Sequence, residues 1–205
     1  VGLNYRSHLK SDPLEEPLIF IKTPSSLIAH GETIVRPKDV ETFDEEGELV
    51  IVIGKRCRNV SREDSLNYVL GYTCGNDVSA REWQRGDGQW WRAKSSDTFS
   101  PVGPYIADNI NPDNVVLRAR VNGEEVQSEN TSMFIFDVPF VVSWTSRRQT
   151  LEPGDMIFTG TPGRPAELVS GVVVEVEIDG IGVLSNPVRD EELTYITYRK
   201  SSDDK

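Results

Sequence analysis

The chain has 205 residues, of which 37% are hydrophobic and 27% charged, and its formal net charge is −11. That length suits one domain with one sizeable core. The acidic balance, with Lys and Arg scattered singly or in pairs, argues against a surface that tracks a phosphate backbone, so no nucleic-acid partner is expected.

No apolar run approaches the ~20 residues of a membrane span. With no secretory leader read before the first motif, no membrane partner and a reducing, cytoplasmic setting are the expectations. Cys57 and Cys74 lack CxxC spacing and are expected to be packed thiols.

In chain order, Val1-Gly2-Leu3-Asn4-Tyr5 reads as the exit of a strand, so a segment ahead of Val1 is expected. Arg6 to Asp12 is short and polar and carries His8, whose ordinary pKa suits general base work; an isolated histidine is more often an ordinary surface residue. Leu18 to Lys22 reads as a buried strand, His30-Gly31 as a turn, and Thr33 to Pro37 as a short strand.

Glu46-Gly47-Glu48 then opens the run Leu49-Val50-Ile51-Val52-Ile53. In a strand, residues i and i+2 share a face roughly 7 Å apart, so two carboxylates can converge on one hard cation. A solvated acidic strand edge is the plainer reading of this segment alone. Ser61 and Asp64 predict a short amphipathic helix. Leu70 to Cys74 predicts a strand with Asp77 at its end, either capping a helix over Val78 to Gln84 or facing the same site.

Trp90 and Trp91 are expected to pack at a core or rim. Val115 to Val121, Asn122-Gly123 and Glu124 to Gln127 form a strong type I′ hairpin signal. Pro139 to Trp144 has helical spacing, and Met156 to Thr159 reads as a strand that empties into Gly160-Thr161-Pro162-Gly163. There glycine permits close approach of the backbone to a ligand. Val172 to Ile178 alternates and turns at Asp179-Gly180; from about residue 188 the chain reads as a polar, frayed tail. With no repeat or linker, residues 1–205 are expected to form a single domain.

Taken together these motifs resemble the fumarylacetoacetate hydrolase family, in particular its short acylpyruvase-like and 2-hydroxyhepta-2,4-diene-1,7-dioate isomerase-like members. The likeness rests on Gly2-Leu3-Asn4-Tyr5 with His8, Glu46-Gly47-Glu48-Leu49, Asn76-Asp77, Arg81, Gln84, Lys94, Asn122-Gly123-Glu124, Pro153-Gly154-Asp155 and Thr159-Gly160-Thr161-Pro162. It implies an α+β, mostly β fold with mixed sheets rolled around the site and a few short helices, assembled as a homodimer.

The resemblance further implies that Glu46, Glu48 and Asp77 bind one Mg²⁺ or Mn²⁺. Three oxygen donors, with no His/Cys cluster, suit such a hard ion. It gives His8, Lys94 and Gln84 catalytic roles and Arg81, Gly160 and Thr161 substrate contacts. The expected substrate is a 2-oxo or β-diketo acid whose carbonyl the cation polarises. C–C hydrolysis of an acylpyruvate leads; isomerisation or decarboxylation of a 2-hydroxydienedioate or oxaloacetate is the alternative.

Hydrolytic relatives place a Glu three residues after this histidine, whereas this chain has Ser11, leaving Asp12 as the carboxylate expected to reach His8. Gly163-Arg164-Pro165 is a second departure. A rival from another class is a non-catalytic β domain with a structural Ca²⁺ site, which leaves Lys94, Gln84 and the Thr-Gly-Thr loop without a use.

Overall fold

The apolar run after Glu48 becomes the middle of a sheet. The computed structural model describes residues 1–192. Its strands are β1 (Leu27–Ile28), β2 (Ile34–Arg36), β3 (Phe43–Asp44), β4 (Gly47–Ile53), β5 (Val69–Asn76), β6 (Ser79–Ala80), β7 (Ser100–Ala107), β8 (Val116–Val121), β9 (Glu124–Asn130), β10 (Met156–Phe158), β11 (Val173–Ile178) and β12 (Gly182–Asp190). Its α-helices are α1 (Arg81–Gly86), α2 (Trp91–Ser95) and α3 (Val138–Ser146).

One mixed sheet runs β1-β7-β5-β4-β10 and a second β2-β12-β11-β8-β9, while β3 and β6 make a small ribbon. The architecture is mostly β with a few short helices, as expected.

β4 is buried along its whole length, which explains an apolar run without alternation: both faces are covered. Leu49, Ile51 and Ile53 join Leu117, Val176, Ile178 and Leu184 of the second sheet in the main core. The side chains between them point the opposite way, so Glu48, Val50 and Val52 share the other face. Gly75 of β5 lies opposite Glu48 in the ladder, and Asp77, two residues on, continues that face. The alternation of β4 therefore sends its aliphatic residues into the core and its acid toward the site.

The second sheet follows the period-two pattern that its sequence predicts. Val174, Val176 and Ile178 are buried, while Glu177 pairs outward with Arg120 at 2.6 Å. Asn122 and Gly123 take φ of 51° and 82°, the type I′ geometry that the Asn-Gly pair favours.

Four expectations are corrected. Leu18 to Lys22 is not a buried strand: only Leu18 bridges, to Gly2, and Ile21 is 71% exposed. Lys22 instead reaches inward to Asp77, while Ile19 and Ile21, on either side of Phe20, face out. The helix after Asp77 begins at Arg81 rather than Val78, since Ser79 and Ala80 first pair with β3. The Ser61–Asp64 signal yields only a 3-10 turn over Ser65–Tyr68. The backbone beyond Pro187 is no frayed tail at its start, because Val188 to Asp190 pair with β2 in parallel; the remainder of that expectation, from residue 193, lies outside the described residues. Both cysteines are buried and free.

Gly75 shows how tightly the site-bearing face is packed. A Cβ there would lie 2.4 Å from Val50 Cγ2 and 2.7 Å from Phe158 Cε1. Gly75→Ala is expected to cost about 1–3 kcal/mol through overpacking, seen as a lower urea midpoint at constant slope. An unchanged midpoint would mean that Val50 and Phe158 yield without strain.

Candidate active site

Three buried carboxylates converge where β4 begins and β5 ends. Glu46, Glu48 and Asp77 each offer an oxygen, all within 4.8 Å of one another, and none is more than 4% exposed. The backbone fixes this meeting: the Asp77 N–H donates to the Glu46 carbonyl at 2.8 Å, and the Glu46 N–H to Asn76 Oδ1 at 2.9 Å. The narrow cavity beside them is lined by His8, Gln84, Lys94 and Thr161, with Phe20 and Trp90 as its aromatic wall. The structure thus brings together seven of the nine site residues expected from sequence.

The cations reach this cluster from three other elements. Lys94 of α2, 2% exposed, donates to Glu46 Oε2 and to Asp77 Oδ2 at 2.9 Å. Arg81 at the start of α1 reaches Asp44 at 2.6 Å and Glu46 at 2.8 Å, and also donates to Gln84 Oε1 at 2.9 Å. Lys22 binds Asp77 Oδ1 at 2.5 Å and the Phe99 carbonyl at 3.3 Å.

These contacts set the acidities. Burial acts to raise Asp77, but Lys22 and Lys94 outweigh it and hold the group at about 2. Burial likewise opposes Lys94 and Arg81 at Glu46, and they keep it below the usual carboxylate range. Lys22 is pushed down by burial, which Asp77 only partly offsets.

Glu48 differs. It accepts the Gly160 N–H at 2.6 Å, and among the described residues no ion pair reaches it. Burial, reinforced by Asp77, pushes it up to about 8. Four carboxylates, counting Asp44, therefore face three side-chain cations, and Glu48 is the one left without a partner cation. An under-neutralised carboxylate among hard oxygen donors is the chemistry a divalent Mg²⁺- or Mn²⁺-like cation fits.

The remaining two expected residues are not among those lining the cavity. Arg81 does not line the cavity: its guanidinium is engaged by Asp44, Glu46 and Gln84, so it orients the acids from behind. Gly160 serves through its amide on Glu48, and its φ of +108°, with Asn4 Cβ only 2.7 Å from any added Cβ, requires glycine. Asp12, expected to reach His8, is exposed and makes no hydrogen bond to it; His8 Nδ1 instead lies 2.7 Å from the Gly163 carbonyl oxygen.

Residues not anticipated from sequence are Lys22, Asn4 and Gln127. Asn4, fully buried, donates to the Thr159 carbonyl at 2.7 Å. Gln127 donates to Thr161 Oγ1 at 3.0 Å and to the Pro162 carbonyl at 2.6 Å. An unbroken two-residue hairpin would set Gln127 opposite Arg118; a register shift between Ala119 and Arg120 sets it opposite the buried Ala119 instead, so it faces inward.

Comparison with known proteins gives a consistent picture. The family model described as "Fumarylacetoacetate (FAA) hydrolase C-terminal" matches residues 1–189. The 4-hydroxyphenylacetate degradation bifunctional isomerase/decarboxylase of Salmonella dublin is 44% identical over 199 residues, spanning 94% of this chain and 46% of that protein. Among solved structures, the 5-carboxymethyl-2-hydroxymuconate delta-isomerase of Mycobacterium smegmatis superposes with TM-score 0.89 at 43% identity, covering 94% of this chain and 78% of that one. A maleylpyruvate hydrolase from Sphingobium sp. SYK-6, in complex with manganese (II) ion and pyruvate, has TM-score 0.82 at 33% identity, covering 93% of this chain and 69% of that one.

The Arg81 cluster is testable by stability. Arg81→Met keeps the volume but leaves Asp44 and Glu46 without their shared cation, an expected loss of about 3 kcal/mol. Arg81→Lys should recover only part of it, because an ammonium lacks the planar fork that meets three acceptors at once. Urea denaturation of both variants checks this; wild-type stability in the Met variant would refute it.

Proposed function

The chain belongs to the fumarylacetoacetate hydrolase family, and from that premise we propose a divalent-cation-dependent enzyme that moves a proton on a 2-oxo acid, an isomerase or tautomerase of hydroxydienedioate or oxaloacetate type. The observation that carries the reading is the pairing of an under-neutralised carboxylate triad with one histidine held by a neutral carbonyl rather than by an acid. Keto–enol interconversion needs one proton shuttle, which His8 supplies alone. The isomerase names of the relatives at 43–44% identity support the same class.

Glu46, Glu48 and Asp77 would hold the cation, Mg²⁺ or Mn²⁺. When bound, it supplies Lewis-acid polarisation of the 2-oxo carbonyl. The chain's own groups then do the rest. Lys94 and Lys22 keep Asp77 ionised, and Arg81 does the same for Glu46. With a divalent ion bound and Glu48 deprotonated to hold it, four carboxylates, three side-chain cations and the ion would sum to one positive charge, which favours an anionic acid. Gln84 and Thr161 border the cavity with polar atoms that can orient that acid, while Phe20 and Trp90 exclude water from one side. His8 takes and returns the proton.

Acylpyruvate hydrolysis is the second reading, favoured by the maleylpyruvate hydrolase likeness. It asks more of His8, because water must be activated against a distal carbonyl. A homodimer belongs to this reading as well. Exposed Ile19, Ile21, Leu27 and Met156 line one apolar groove, and such side chains are more at home in an interface than in water.

Turnover of a hydroxydienedioate, oxaloacetate and acetylpyruvate, with Mg²⁺ or Mn²⁺ and after chelation, separates these readings. Chelation is expected to abolish turnover and readdition to restore it. Glu48→Gln should lower kcat/KM at least about 100-fold and weaken Mn²⁺ binding in calorimetry. His8→Ala should lower kcat about 100-fold or more without changing Mn²⁺ affinity. Full turnover in Glu48→Gln would refute the metal site, and acetylpyruvate cleavage outpacing ketonisation would favour the hydrolase.

A further inference from the structure

His8 meets the Gly160–Gly163 loop at the rim of the cavity, and residues outside the cavity fix that meeting. Gly163 is held at both of its polar groups. Its carbonyl oxygen lies 2.7 Å from His8 Nδ1, and its N–H donates to Ser7 Oγ at 3.0 Å. Ser7 Oγ in turn donates to Glu129 Oε2. The φ of +56° at Gly163 turns both groups toward the short helical turn Arg6–His8, a conformation that suits glycine.

The anchor for this chain of bonds is β9. Gln127 and Glu129 are two residues apart and so share a face. Their ladder partners Ala119 and Leu117 are fully buried, so that face is the inner one. Gln127 grips the loop at Thr161 and Pro162, and Glu129 grips the turn at Ser7. One strand thereby braces both connections that border the cavity.

A carbonyl oxygen only accepts hydrogen bonds, so the bond to Gly163 requires the proton on Nδ1 and leaves Nε2 with its lone pair. The N–H and C=O of Gly163 belong to adjacent peptide units. The chain from Glu129 therefore acts by fixing where that carbonyl sits, not by passing charge to the imidazole.

We propose that Glu129 and Ser7, acting through Gly163, are positioning residues that hold His8 as its Nδ1–H tautomer and leave Nε2 available to the substrate. They take the orienting role that sequence reasoning gave to Asp12. The proposal rests on the reading that His8 moves a proton in the reaction.

The chain has two histidines, so nitrogen-15 labelling of histidine gives two imidazoles to follow by NMR. The ring nitrogen shifts distinguish the two neutral tautomers from each other and from the imidazolium. His30 is an internal control: its Nδ1 lies 3.1 Å from the Ser185 N–H donor, which fixes it as Nε2–H. Wild type is expected to show one tautomer of each kind, assigned with His30→Gln. In Ser7→Ala, and independently in Glu129→Gln, the His8 pattern should move toward the mixed one of a free imidazole while that of His30 stays. Ser7→Thr, which keeps the hydroxyl, should restore it.

With whichever 2-oxo acid turns over, kcat should fall about tenfold in Ser7→Ala at nearly constant KM. An Nε2–H His8 in wild type, or an unaltered His8 tautomer in both variants, would overturn the proposal. The expected Nδ1–H signature in a protein without turnover on any 2-oxo acid supports the positioning set and overturns the proposed function instead.

Discussion

The fold depends on burying three carboxylates beside one another while keeping two of them, Glu46 and Asp77, ionised. Removing a carboxylate from water costs several kcal/mol even after relaxation, and like charges add to that cost. Here the opposing charges come from parts of the chain distant in sequence: Lys22 from an extended segment, Arg81 from α1 and Lys94 from α2. The acidic edge of the first sheet is tolerable only once those elements have docked. Site and fold are therefore coupled, because the same ion pairs that tune the acids also hold the short helices against the sheet.

The neutralisation is uneven. Asp77 receives two lysines, and Glu46 a lysine and an arginine, while Glu48 receives only a backbone N–H. Burial alone would raise all three acids, and the side-chain cations decide which stay charged. An acid left without a cation in such a setting either keeps a proton or waits for a metal. That asymmetry, more than the count of carboxylates, distinguishes this cluster from an ordinary network of buried ion pairs.

Two kinds of support operate around the cavity. The acids sit on ladder-bonded backbone at the ends of β4 and β5, where position is set by the sheet. His8 and Thr161 sit on connections, which in general move more. The inner face of β9 reduces that difference: Gln127 and Glu129 each bond one of the two connections, so residues on loops inherit part of the rigidity of a strand. Catalytic geometry needs such support, because small displacements of a proton-transfer group are costly.

Much of this was legible in the chain. The spacing of Glu46 and Glu48 ahead of an apolar run, the Asp77 beside a Gly-Asn break, the Asn122-Gly123 hairpin and the alternation of β11 follow from local rules whose period is two residues. Lys22 was hidden because an apolar run ending in lysine reads as a strand running out to solvent, whereas Ile21 faces out and the lysine goes in. Arg81 and Gly160 were placed at the site, but the protein groups they meet there, Asp44, Glu46 and Gln84 for Arg81 and Glu48 for Gly160, were not legible, since residue type reveals a donor and not the acceptor it meets.

The sequence by itself determined the elements, the acid cluster and the family, because those depend on short-range pattern and composition. Only the tertiary structure decided which cation neutralises which acid, why Glu48 remains unmatched, and that Gly163 rather than Asp12 meets His8. Those pairings join residues from 17 to 155 positions apart, and at such separations the angles of the packed sheets, not the local sequence, set which atoms come within hydrogen-bond reach.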